Sequence, residues 1–248
     1  MSTIYIMWFR QLKRFWRSKS RVAASLGQPL LFLFGLGFGF GPIYAKAGGG
    51  DYIQFLSPGI VAMTILFASI FSGIEIIWDK QFGFMKETLV APVSRVQIML
   101  GKTFGGATVA LIQGIVIFVI TFVAGFRPEN IFLIPLAFLF MILVSVLFTA
   151  LGSTIAARMN DMQGFPLIIN FIIMPLFFLS GTLFPIDQLS KVLSIIIKAN
   201  PLSYGVDGIR GALTGVYHFG LVTDLSVLLG SIIICVSIGA YQFSRIEV

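Results

Sequence analysis

The sequence predicts an all-α integral membrane protein, a single transmembrane domain over residues 1–248. It has six transmembrane helices, an N-terminal interfacial helix, a cytoplasmic docking helix and re-entrant helices before the last span. Three observations predict it. Hydrophobic residues make up 57% of the chain and charged residues only 11%, with mean hydropathy +0.98. An ordinary soluble chain is about one quarter charged. The charges are clumped, leaving windows free of Asp, Glu, Lys and Arg at 22–45, 52–74, 103–126, 130–157, 162–186 and 225–244. Each can supply the about 20 residues that a spanning helix needs, and backbone in lipid must pair with itself, which selects helices. Third, with spans near 22–41, 55–78, 103–126, 131–157, 163–184 and 222–244, twelve of the 17 Lys and Arg fall on the face that holds the termini. The positive-inside rule then puts both termini and segment 79–102 in the cytoplasm of a multi-pass cell-membrane protein. The net charge of +7 is topological and is no nucleic-acid footprint.

Residues 1–21 place Ile4, Trp8, Leu12, Phe15 and Trp16 beside Arg10, Lys13, Arg14, Arg17, Lys19 and Arg21. An apolar face beside a basic one describes a helix lying on anionic lipid. A signal peptide is the competing reading, since Ala45-Lys46-Ala47 resembles a cleavage site. Its charged region would be too long, however, and its apolar run exceeds the usual length of about 7–15 residues. Span one contains Gly35, Gly37, Gly39 and Gly41, and span three Gly106, Ala110 and Gly114. Small residues at such spacing let helices approach closely, within one chain more readily than between two. Span two opens with Ser57-Pro58-Gly59 and ends near Glu75. An acid in an apolar run is costly and often functional, but Glu75 lies within reach of the N-terminal arginines, which favours an ion pair. Span five carries Pro166, Asn170 and Pro175, a set that suits either a kinked, path-lining helix or plain packing.

The longest water-compatible stretch after the N-terminus is 79–102. Within it Phe82, Met85, Leu89 and Val93 recur on one helical face; Pro92 interrupts the pattern and Ser94 offers a cap for the next helix. Such a half-apolar helix is either a docking element or a segment lying flat in the headgroups. Residues 187–224 form the long segment on the other side. There Leu189, Val192, Leu193, Ile196 and Ile197 mark one short amphipathic piece, and Leu202, Val206, Ile209 and Leu213 a second. Two short helices dipping back into the outer leaflet account for this mixture, with Asp207 and Arg210 spaced to pair.

The run Gly83-Phe84-Met85-Lys86-Glu87-Thr88-Leu89-Val90-Ala91-Pro92-Val93-Ser94-Arg95, closing in Leu100-Gly101-Lys102, resembles the first cytoplasmic loop of ABC-2 type permeases, the membrane subunits of ATP-driven exporters of the daunorubicin-resistance type. A second stretch agrees: Leu179-Ser180-Gly181-Thr182-Leu183-Phe184-Pro185-Ile186, then Asn200-Pro201-Leu202-Ser203-Tyr204-Gly205-Val206-Asp207-Gly208-Ile209-Arg210. The resemblance implies an ATPase-docking role for Phe84, Met85, Lys86, Glu87, Leu89, Val90, Pro92, Val93 and Arg95. It also implies a re-entrant pair closing the outer end of a path, with Phe184, Pro185, Pro201, Tyr204, Asp207 and Arg210 as its gate.

No catalytic constellation accompanies these motifs. His218 has no second histidine or cysteine nearby, and Cys235 lies within the last span, so neither a disulfide framework nor a metal site is expected. Gly101-Lys102-Thr103 mimics the end of a phosphate-binding loop, but Val96 stands where its leading glycine belongs. The chain is therefore expected to be no enzyme and to bind no cofactor, with ATP and Mg carried by a separate ATP-binding ABC subunit. Six spans enclose little space, so a homodimer within a two-plus-two complex is expected, exporting an amphipathic, lipidic or drug-like substrate by alternating access. The alternative is an ion-gradient-driven secondary transporter, although the internal repeats and midplane ionisable residues usual there are not visible. Gln28, Thr64, Ser69, Ser72, Gln113, Thr121 and Asn170 are the neutral polar candidates to line the path.

Overall fold

A computed structural model of the chain describes residues 3–46, 50–84, 88, 93–159, 161–186 and 190–244, with Arg21 described in its backbone alone. Among the described residues all regular structure is helical. Helix α1 is Thr3–Arg17. Among the described residues five helices are long and apolar enough to cross a membrane: α2 (Val22–Lys46), α3 (Tyr52–Gln81), α4 (Arg95–Val123), α5 (Ile131–Arg158) and α9 (Leu221–Ser244). Between α5 and α9 lie α6 (Phe165–Phe178), α7 (Lys191–Ala199) and α8 (Pro201–Thr214).

Helix α3 is the axis of the bundle. Asp51 caps it by accepting from the Ile53 amide at 2.9 Å. Every residue from Leu56 to Phe67 is buried, because α4, α5 and α8 cover all its sides. Where α3 crosses α5 there is no room for side chains: a Cβ on Gly73 would lie 2.6 Å from the Gly152 carbonyl. Helix α1 lies along α4, and α9 lies on the outside of α5 and α4.

Two outcomes differ from the sequence-based expectation. The fifth window (163–184) is helical only over Phe165–Phe178, about 21 Å at 1.5 Å per residue, and then runs in turns through Gly181 at φ +73. Pro175 has no amide to donate to the carbonyl four residues back, and the ladder there slips into a π-helical stretch, Ile169–Ile173. A second π-helical stretch, Phe32–Leu36, lies in α2, and Phe32 meets Phe177 edge-on with ring centroids 6.0 Å apart. The glycines of α2 also depart from expectation. Gly35, Gly39 and Gly41 face open space and only Gly37 is approached, by Ile53. Helix α2 runs along the edge of the bundle, so this stripe packs little within the chain. The glycines of α4 do pack: Gly106 against Ser72 and Thr149, Gly114 against Ile65 and Met141.

Candidate functional site

At the end of the bundle where α1 lies, the helices are tied together by charge. Asp79, near the end of α3 and 5% exposed, accepts from Lys102 of α4 at 2.6 Å and from Arg10 of α1 at 2.9 and 3.1 Å. Lys102 is itself buried, and charge pairs removed from water hold only when geometry and hydrogen bonding are this complete. Arg14 approaches Glu75 at 3.6 Å and Asp79 at 3.8 Å, so Glu75 does meet an N-terminal arginine. Lys80 donates to the carbonyls of Ala157 and Met159, supplying donors where α5 runs out of its own. Arg95 does the same for α9, donating to the Ser244 carbonyl at 2.9 Å. The residues flanking the expected docking segment thus bind α1, α3, α4, α5 and α9 into one layer.

Of the segment itself, Met85, Lys86, Glu87, Leu89, Val90 and Pro92 lie outside the described residues. Gly83 begins it at φ +78, a left-handed conformation that glycine adopts without strain. The Arg10 guanidinium lies 3.8 Å over the ring of Phe84, and the Thr88 hydroxyl donates to the Phe84 carbonyl. Ser94 occupies the N-cap position of α4, but its side chain makes no capping bond. Gly101, Lys102 and Thr103 lie inside α4, with Lys102 committed to Asp79, so they form no phosphate-binding loop.

Above this layer a cavity of about 430 Å³ opens between α1, α2, α3 and α4. It collects four of the seven path candidates: Gln28, Thr64, Ser72 and Gln113. Phe67, Phe71 and Trp78 supply apolar wall, and the Trp78 indole donates to the Met162 sulfur at its edge. From Thr64 to Trp78 the lining covers about 20 Å of helix rise, a large part of a bilayer's about 30 Å hydrocarbon core. The other three candidates lie elsewhere. Ser69 donates to the Ser145 carbonyl across the α3–α5 contact, Thr121 donates to Phe118 within α4, and Asn170 is exposed on α6.

At the opposite end α8 is buried from Leu202 to Leu213. Gly208 and Gly211 admit the rings of Phe140 and Tyr217 against its backbone. Asp207 and Arg210 turn to different partners instead of pairing. Asp207 accepts from the amides of His218 and Phe219 at 2.8–2.9 Å, closing the loop that follows α8. Arg210 donates to the Gly181 carbonyl at 2.9 Å and stacks 4.2 Å over the ring of Phe55. Tyr204 donates to the Lys198 carbonyl and Pro201 opens α8, whereas Phe184 and Pro185 are exposed. Burial, and then the carboxylates of Asp224 and Asp207, push the Tyr217 phenol above its ordinary value, so it stays protonated.

Sequence reasoning missed three residues. Asp79 and Lys102 read as the ends of a loop, and their separation of 23 positions hid the contact. Asp224, fully buried in the first turn of α9 against the Asp207 carboxyl group, read as the edge of an apolar window. The signal in each case was a charge at a span boundary.

Comparison with known proteins agrees with this architecture. The family model described as ABC-2 type transporter matches residues 2–214. Nodulation protein J of Rhizobium leguminosarum bv. trifolii is 30% identical over 204 residues, covering 79% of this chain and 76% of that protein. The putative transport permease ycf38 of Pyropia yezoensis is 32% identical over 207 residues, covering 81% and 70% respectively. That of Cyanophora paradoxa is 31% identical over 208 residues, covering 82% and 70%. A helical bundle with several membrane-length spans, matched along most of its length by permeases, is a multi-pass membrane protein of the ABC-2 type transporter family.

Proposed function

We propose that this chain is the permease subunit of an ATP-driven exporter in the cell membrane, with both termini cytoplasmic and a separate ATPase seated on residues 83–95. The observation that carries the reading is the charged layer flanking that segment: a push on it reaches five helices at once, among them three of the four that wall the cavity. The cavity receives an amphipathic substrate from the cytoplasmic side. Tilting of α3 and α4 then offers it to the outer end, where α8 and the Gly181 turn, joined by Arg210, act as the gate. Two copies form the transport unit, and ATP and Mg belong to the partner.

The test addresses the docking segment. An apolar face of Met85, Leu89 and Val93 fills a groove on the ATPase, while Lys86, Glu87 and Arg95 orient it from the rim. Exposed ion pairs contribute about 0–1 kcal/mol, so single charge swaps are mild. A central apolar anchor is worth about 2 kcal/mol or more. Leu89→Asp is expected to keep normal membrane yield, to lose co-purification of the ATPase and to lose transport. If Leu89→Asp still binds its ATPase and transports like the parent, the segment rests on lipid and docking lies elsewhere.

A further inference from the structure

Helix α1 carries two unlike halves on one ridge. Met7 and Phe15 are buried, and the Trp8 indole donates to the Thr108 hydroxyl at 3.0 Å, so one side of the helix is held down on α4. On the outer side Tyr5, Phe9, Lys13 and Arg17 follow one another four residues apart, and all four are exposed. Side chains so spaced form one row, here apolar in its first half and cationic in its second. The Tyr5 and Phe9 rings stack with centroids 6.1 Å apart. An open groove of about 1030 Å³ follows this row to the elbow at Ser18, where the chain turns out of α1, and Lys19 adds a third exposed cation there. Its lining includes no acid among the described residues. Arg10 and Arg14, also on its wall, have Asp79 and Glu75 as partners, so the surplus positive charge is carried by Lys13, Arg17 and Lys19.

We infer that this groove is a binding site for a single anionic glycerophospholipid. Lys13, Arg17 and Lys19 hold its phosphate, and its glycerol and the start of its acyl chains lie on Tyr5, Ile6 and Phe9. The chemistry of the groove identifies the occupant. Three clustered cations call for an anion, and the apolar half of the same row calls for hydrocarbon. The apolar span of α2 begins at Val22, one helical turn past Lys19, which sets the cations where headgroups meet acyl chains. A nucleic acid would leave Tyr5, Ile6 and Phe9 uncovered, and a neutral lipid would leave the cations without a counter-charge. The site differs from a general attraction of a basic helix to a negative surface, because it uses three named cations and leaves Arg10 and Arg14 to their own partners. It does not depend on the exporter reading. Since α1 also brings Arg10 to Asp79 and Arg14 to Glu75, a lipid seated here braces the charged layer.

Native mass spectrometry of the full-length chain, released from a neutral detergent, counts the molecules that stay bound. Phosphatidylglycerol, phosphatidylcholine with the same acyl chains, and glycerol 3-phosphate are titrated separately. One phosphatidylglycerol per chain is expected, with half-saturation about tenfold below that of phosphatidylcholine, the scale of one or two cations at a membrane surface. Lys13→Gln, Arg17→Gln and Lys19→Gln together are expected to shrink this preference below about threefold, and Arg17→Gln alone to lower it. These side chains are exposed, so the variants are expected to melt like the parent in the neutral detergent. Lys46→Gln, Lys191→Gln and Lys198→Gln together remove the same charge from exposed positions elsewhere and are expected to keep the preference. Equal binding of the two lipids, a preference untouched by the first triple variant, or equal loss in both triple variants overturns the site. Glycerol 3-phosphate bound as tightly as phosphatidylglycerol overturns the lipid assignment, because the apolar half of the row would then contribute nothing.

Discussion

Lys102 shows how much of this molecule depends on single side chains. It is 4% exposed, inside a helix, and its ammonium is held by Asp79 at 2.6 Å. Removing one member of a buried pair leaves an uncompensated charge, typically about 3–5 kcal/mol, whereas replacing both by apolar residues is often nearly neutral. Arg10 still reaches Asp79, so Lys102→Met should cost about 3 kcal/mol, the lower end of that range. Adding Asp79→Leu should restore most of the loss, a coupling that thermal unfolding of the detergent-solubilised single and double variants would measure. A double variant no more stable than the single would mean that the pair is not what Lys102 contributes. At this scale the sequence was legible where partners lay within reach: Glu75 was expected to meet an N-terminal arginine and meets Arg14. It misled where spacing suggested a local pair, since Asp207 and Arg210 stand three apart and yet serve the loop after α8 and the Gly181 turn.

Among the elements, the long helices were legible because lipid leaves an apolar run of this length no other way to satisfy its backbone. Composition could not say where a helix yields. The fifth window is apolar throughout, but Pro175 and the turn at Gly181 end its helix early, a local backbone effect that hydropathy does not sense. Small-residue stripes were equally ambiguous, because a glycine reports close approach only once the neighbour is known. The structure separates them. A Cβ on Gly106 would lie 2.5 Å from the Ser72 hydroxyl and 2.8 Å from a Thr149 methyl, so Gly106→Ala should destabilise the chain by about 1–3 kcal/mol. Gly39 meets nothing within 4 Å, and Gly39→Ala should stay within about 0.5 kcal/mol of the parent. Melting curves of the two variants decide this, and equal losses would mean that α2 is packed as tightly as α4. The docking segment is the reverse case: its motif was the plainest in the sequence, and most of it lies outside the described residues.

For the whole molecule, hydropathy and the distribution of Lys and Arg supplied the sidedness, which a bundle of helices does not itself contain. It can be checked in sealed, right-side-out cells carrying Cys235→Ala. Cysteines placed at Gly49 and Ser190 should react with an impermeant thiol reagent, and one at Gln81 should not; labelling at Gln81 would invert the topology. The cavity and the contact of α8 with the Gly181 turn were legible only in part, because both are made by residues far apart in sequence. The Asp79–Lys102 pair has a consequence for how such a molecule is made. Each charge belongs to a different span, and Lys102 is buried on Asp79, whereas Asp79 also has Arg10 of α1 as a partner. Insertion of the second and third spans together, as a hairpin, is therefore the expected route, because it buries Lys102 with its partner already present.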